Sequence, residues 1–295
     1  MKVGLLLPQA AADGDGGTWH DIVNLARFAE DRGIDSLWLC DHFFSRDEGA
    51  AIGTETGYHE PWTLLSALAA ATSRVELGTL VLATSFRPAG LLAKMAATAD
   101  DVAGGRLVLG LGCGWHEPEY EAFGYPFDHR VGRFEEALRI IAPLVRGERV
   151  TFDGQYQQVH EAAILPPPIR PRLPILVAAK GERMLRLTAE LADQWQTAWY
   201  GPPDERYRER RRAILAACDE LGRDPATLAV TVGIEIDPSS DGSTSLPLEP
   251  EAIATALGAW DAEGVDHVQL GVWPATRTSF TTVLAAIDRY RETAG

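Results

Sequence analysis

Short apolar runs of strand-forming residues alternate along the chain with longer stretches whose apolar residues recur three or four apart. Nothing else in the sequence restricts the fold as tightly. Runs buried on both faces belong to parallel sheets, and a parallel sheet needs helices in its crossovers. The spacing predicts strands over 3–7, 36–39, 75–80, 106–111, 174–178, 194–198, 228–234 and 267–271. Helical periodicity falls over 18–32, 61–73, 88–103, 129–146, 182–191, 204–221, 250–263 and 279–292. Eight strand–helix pairs predict a closed (β/α)8 TIM barrel of the α/β class, one domain over 1–295. The rival, a doubly wound open sheet, usually carries a glycine fingerprint after its first strand, whereas this chain has Pro8-Gln9-Ala10 there.

Two segments interrupt the repeat. Residues 150–172 read as a small hairpin followed by a proline-rich connector, and 237–250, rich in Ser, Gly and Pro, read as a mobile loop at the mouth of the barrel. A net charge of −15 argues against nucleic acid and against an anionic membrane surface. Cys40, Cys113 and Cys218 have neither paired nor metal-ligand spacing, which fits a reducing cytosol, and no metal is implied. The apolar start is too short for a signal peptide and reads as the first strand, and no segment reads as spanning a membrane.

In such a barrel the chemistry gathers at the carboxyl ends of the strands. Strand two ends in Asp41-His42-Phe43. Neighbours on extended chain point opposite ways, so one can face the pocket while the other holds the loop, and an imidazole is the natural proton carrier near neutral pH. A turn cap with a packed histidine is the competing reading. Strand three stays extended past Leu80, and a bulge there would let a flat ring lie against the backbone; Arg87 is expected to pair with a surface carboxylate. Strand four runs into Gly110-Leu-Gly-Cys113-Gly114-Trp115-His116-Glu117, a glycine-rich bend shaped for a cofactor or simply for a tight turn. After strand five, Ala178-Ala-Lys180-Gly181-Glu-Arg183-Met184 opens a helix with two cations, suited to an anion or to solvated charges. Trp195, Trp199 and Tyr200 follow strand six and either line a cavity or pack, and His59-Glu60 reads as a helix cap. Hydrolase elbows, zinc pairs and phosphate loops are absent from the sequence.

Taken together and in order, these motifs resemble the luciferase-like monooxygenase family of flavin and deazaflavin oxidoreductases. The resemblance rests on Asp41-His42-Phe43, Gly78-Thr79, Gly104 to His116-Glu117, Phe123-Gly124, Arg133 to Glu136, and Gly181 to Leu185 with Ala192-Asp193. Asp-His-Phe and Gly-Trp-His-Glu look most like the branch that uses coenzyme F420, whereas other relatives hold FMN. The resemblance implies that Asp41 and His42 flank the cofactor ring, with His42 the proton donor, and that Leu80-Val81 forms a bulge against the ring with a non-proline cis peptide. It assigns Cys113-Gly114, Lys180-Gly181, Arg183 and Met184 to the cofactor's phosphate and side chain.

The chain also departs from the family. Sugar-phosphate dehydrogenases of this kind carry a glutamate where this chain has Trp115, so a sugar phosphate is not the expected substrate. Ala178-Ala179-Lys180 stand where relatives have glycines, and Ala83 stands where some relatives have a hydroxyl. The expected chemistry is hydride transfer between reduced F420 and a small organic electrophile, with Trp115, Trp195 and Trp199 shaping the substrate cavity. Alternatives are an FMN-dependent two-component monooxygenase fed by a separate reductase, a non-catalytic flavin-binding protein, and a redox-free lyase or isomerase. Relatives imply a homodimer.

Overall fold

The computed structural model describes residues 1–46 and 49–294. Eight parallel strands form its centre: β1 (Lys2–Leu6), β2 (Ser36–Leu39), β3 (Glu76–Thr79), β4 (Leu107–Gly112), β5 (Ile175–Ala178), β6 (Gln194–Tyr200), β7 (Ala229–Ile236) and β8 (His267–Val272). Neighbours in sequence pair in order, Leu5 lies opposite Leu37, and Val3 opposite Val268 closes β1 onto β8. Ile175 opposite Leu109 joins β5 to β4, so the sheet has no free edge among these strands and the barrel expectation holds.

Each strand is followed by a helix: α1 (Trp19–Asp31), α2 (Pro61–Ala71), α3 (Ala89–Val102), α4 (Arg130–Val145), α5 (Glu182–Leu191), α6 (Glu205–Glu220), α7 (Pro250–Ala262) and α8 (Arg277–Ala294). Thr18, Glu60 and Asp204 cap α1, α2 and α6 by accepting backbone N–H groups, which makes Glu60 the cap its position suggested. The double-sided burial expected of parallel strands is plain in β4 and β8, where every residue is buried. Apolar side chains of the strands and of the inner helix faces form one large core, with Trp195, Trp260, Tyr207 and Phe134 among its largest members.

The first insertion is the expected hairpin, Val150–Asp153 against Gln158–Ala162, and Arg170 in its connector makes a two-pronged ion pair to buried Asp100. The second insertion differs from its expectation of a free loop. Leu246 is buried and pairs with β7 through the carbonyl of Glu235 and the amide of Asp237, because an apolar side chain in a polar segment gains more from burial than from solvent. Among the small elements that escaped the sequence reading are the ribbon Phe44–Ser45 with Thr56–Gly57, the strand Leu82–Ala83 beside β4, and the helix Glu117–Phe123. Each is too short for a periodicity to show. No described helix is long and apolar enough to cross a membrane, and the three cysteines are unpaired.

Candidate active site

The carboxyl ends of β2 to β6 surround a cavity of about 480 Å³, within the range of small-ligand sites. Sequence alternation decides what faces it. Asp41 and His42 are adjacent on extended chain and take opposite tasks. Asp41 is buried and holds the wall: its carboxylate accepts Arg87 Nη1 at 2.8 Å, Arg87 Nη2 at 3.0 Å and the Ala83 amide at 2.8 Å. Arg87 therefore pairs with a buried acid as well as with a more exposed one: its Nη2 also reaches Oε1 of Glu60, whose side chain is 38% exposed, at 2.5 Å. Burial opposes the guanidinium charge, but the two carboxylates outweigh it and hold Arg87 above its ordinary value.

His42 faces the cavity. Its Nδ1 lies 2.9 Å from Glu119 Oε2, and its ring lies 5.6 Å from that of Trp115 in an edge-on arrangement. The adjoining His116 is nearly buried, and burial pushes its pKa down, toward the neutral imidazole.

The wall beside His42 is backbone. Leu80–Val81 is a cis peptide as expected, and Ala198–Trp199 on the opposite rim is another. Past the first of these, Leu82 and Ala83 pair with Leu111 and Gly112 of β4. Gly110 and Gly112 admit that approach: a Cβ on the first would meet the Thr79 carbonyl oxygen at 1.8 Å, and on the second Val81 Cγ2 at 2.6 Å. Cys113 and Gly114 then turn out of the sheet, with the Cys113 carbonyl accepting from the Tyr120 hydroxyl and that of Gly114 from Arg130. Burial raises the Cys113 thiol's pKa, so it lines the cavity as a neutral group.

From β5 come Ala178, Ala179, Lys180 and Gly181, and from α5 Met184. Lys180 makes no ion pair with any described residue, and burial, with Arg210 and Arg206 nearby, lowers its pKa. An unpaired cation at the mouth of a mostly apolar cavity suits an anionic group on a ligand. A flat ring system with an anionic substituent thus fits the residues present: a side-chain-poor wall, an imidazole at one edge and a cation at the mouth.

Most of the expected site residues meet here. Asp41, His42, Leu80, Val81, Cys113, Gly114, Trp115, Lys180, Gly181, Met184 and Trp199 all line the cavity. Two do not. Trp195 is fully buried in the core, because alternation on β6 turns Gln196 and Ala198 inward and Trp195 outward, where its Nε1 donates to the Ala179 carbonyl at 3.0 Å. Arg183 points away into an adjoining groove of about 820 Å³ and donates through Nε and Nη2 to Glu135 Oε2, at 2.9 and 2.6 Å. The sequence reading overlooked Glu119, Gln196 and Phe86, all of which line the cavity. For Glu119 a signal existed, since an acid in the first turn after Pro118 marks a helix start beside the glycine bend.

Comparison with known proteins finds relatives of this chain. A family model described as luciferase-like monooxygenase matches residues 1–241. A phthiodiolone/phenolphthiodiolone dimycocerosates ketoreductase of Mycobacterium tuberculosis is 32% identical over 257 residues, which cover 80% of this chain and 67% of the relative. An F420-dependent glucose-6-phosphate dehydrogenase of Kineococcus radiotolerans is 33% identical over 230 residues, 74% of this chain and 65% of that protein. Among solved structures, an F420-dependent secondary alcohol dehydrogenase in complex with an F420-acetone adduct superposes with a TM-score of 0.81 at 18% identity, covering 98% of this chain and 99% of that one. The coenzyme F420 dependent tetrahydromethanopterin reductase from Methanopyrus kandleri gives 0.80 at 17% identity, covering 99% of each chain. At those identities the structures speak for the fold.

Proposed function

The chain belongs to the luciferase-like monooxygenase family, and from that premise we propose that it is a coenzyme F420-dependent oxidoreductase that interconverts a carbonyl compound and its alcohol. The observation that carries the reading is the placement of His42 at the edge of a cavity walled by the Leu80–Val81 bulge and closed at its mouth by Lys180. Relatives whose names specify F420 dependence, and one named as a ketoreductase, support it.

Bound F420 supplies or accepts a hydride at C5. The protein's share is positioning and proton supply. Leu80, Val81 and the bare backbone of Gly112 would hold the ring, Lys180 and the Gly181 turn its anionic part, and Trp115 and Trp199 the substrate above it. When the substrate carbonyl accepts hydride, its oxygen gains negative charge, and protonated His42 delivers a proton there. In the reverse direction neutral His42 removes the alcohol proton. Trp115, 69% exposed at the mouth, presents a large and mainly apolar indole on the substrate side. The proposed substrate is accordingly apolar. We extend the proposal to a cytosolic homodimer supplied with reduced cofactor by a separate reductase.

Titration of the purified protein with F420 and with FMN, followed by absorbance and fluorescence, tests the cofactor. Micromolar binding of F420 is expected. Binding of FMN alone, with oxygen consumed on turnover, would replace the proposal with a flavin monooxygenase; binding of neither would remove redox chemistry from the site.

A further inference from the structure

Glu119 stands directly behind His42, and nothing in hydride transfer as described above uses it. It comes from the short helix after β4 and is 1% exposed. Its Oε1 accepts the amides of Phe43 at 2.5 Å and Phe44 at 3.2 Å, the two residues that follow His42. Its Oε2 is left facing His42 Nδ1 at 2.9 Å. His42 Nε2 has no hydrogen-bond partner among the described residues, and the ring lines the cavity.

We infer that Glu119 is the positioning residue of the site: its carboxylate commits the His42 hydrogen to Nδ1 and leaves Nε2 for the reacting oxygen. The catalytic consequence rests on the proposed hydride-transfer reading; the tautomer does not. The argument is one of donors and acceptors. Oε1 receives two peptide N–H groups and is therefore an acceptor, and in the ionised carboxylate Oε2 is an acceptor as well. Opposite such a carboxylate Nδ1 donates, and in the neutral ring Nε2 is then bare. The clamp is also rigid, because the amides that orient the carboxylate adjoin the histidine that the carboxylate orients. An imidazole in a single tautomer and a single orientation is what an efficient proton carrier requires.

Glu119→Gln separates this role from that of a strut. The two amides still demand an oxygen, so the side-chain carbonyl keeps them and the NH2 group turns toward His42. The loop stays clamped while Nδ1 becomes an acceptor and the hydrogen moves to Nε2. The readout is the ring ¹⁵N spectrum of the cofactor-free protein labelled at histidine, taken at a pH where the ring is neutral, with the His42→Asn variant locating the signals. The wild type is expected to show a protonated Nδ1 and a bare Nε2, Glu119→Gln the reverse, and Glu119→Asp the wild-type tautomer.

With F420 bound, kcat of the Gln variant is expected to fall about 10²-fold with KM nearly unchanged. A bare Nδ1 in the wild type, or the same tautomer in wild type and Gln variant, would overturn the inference. So would a reversed tautomer with undiminished kcat. Should the Gln variant fail to fold, the wild-type and Asp spectra still decide. Reversal of the tautomer in a protein that binds no F420 would remove the proposed function and leave the Glu119–His42 arrangement in place.

Discussion

At the residue scale the site depends on buried charges that are each compensated. Asp41 binds Arg87 through two parallel contacts and Arg87 is only 10% exposed, so removing the acid strands a guanidinium in the wall. Asp41→Ala is expected to cost about 3 kcal/mol in urea unfolding, at the low end for a broken buried pair because Glu60 remains as a partner. A second buried group lies at the start of β8, against β2. His267 Nε2 sits 2.7 Å from the Ser36 hydroxyl, which itself accepts from Trp38 Nε1 at 2.7 Å, and burial pushes the pKa of His267 down to about 3. Its folded value lies below its unfolded one of 6.5, so the unfolded chain binds the extra proton in between. The stability it contributes is present above pH 6.5 and is lost as the pH falls toward about 3, with a slope of at most about 1.4 kcal/mol per pH unit. Urea midpoints measured across that window are expected to fall less steeply for His267→Gln, and the difference between the two curves isolates this group from the carboxylates.

At the element scale the glycine bend after β4 shows how a strand end becomes a binding wall. Gly114 has φ +73°, and a Cβ there would lie 1.7 Å from the Tyr120 hydroxyl oxygen. Gly114→Ala is expected to lose about 2 kcal/mol of stability and to weaken cofactor binding, measured by thermal unfolding and by the same titration. Trp195 acts on the site from behind: its indole N–H holds the Ala179 carbonyl next to Lys180. Trp195→Phe drops that bond and leaves part of the indole's volume empty in the core, which together are expected to cost about 2 kcal/mol in urea unfolding. Strand and helix positions were legible in the sequence because hydrophobic period is local, and all eight of each were found within a few residues of their observed ends. The helix Glu117–Phe123 and the strand Leu82–Ala83 were not, since elements this short exist only because β3 and β4 hold them. The anchored loop at Leu246 was hidden for the same reason: one leucine among polar residues carries no period.

For the molecule as a whole, the barrel supplies a rigid ring of strand ends, and the chemistry is placed on the loops above it. On its outside, Leu91 and Val102 on α3 are 53% and 52% exposed, and Leu165 and Ile169 of the inserted connector are exposed as well. The proposed dimer is tested by light scattering, which is expected to give twice the chain mass of 32.0 kDa, and Leu91→Glu with Val102→Glu tests whether this apolar patch carries the contact. The sequence by itself determined the eightfold alternation, the closed barrel and the segments that carry the site, because periodicity, glycine and proline act over a few residues. Only the tertiary structure decided which member of each segment faces the cavity and what it pairs with. His42 meets Glu119 from 77 positions away, Arg87 meets Asp41 from 46, and Arg183 is drawn off to Glu135 from 48. Those pairings follow from strand register and from the need of buried charge for a partner, and neither is written in any local stretch of the chain.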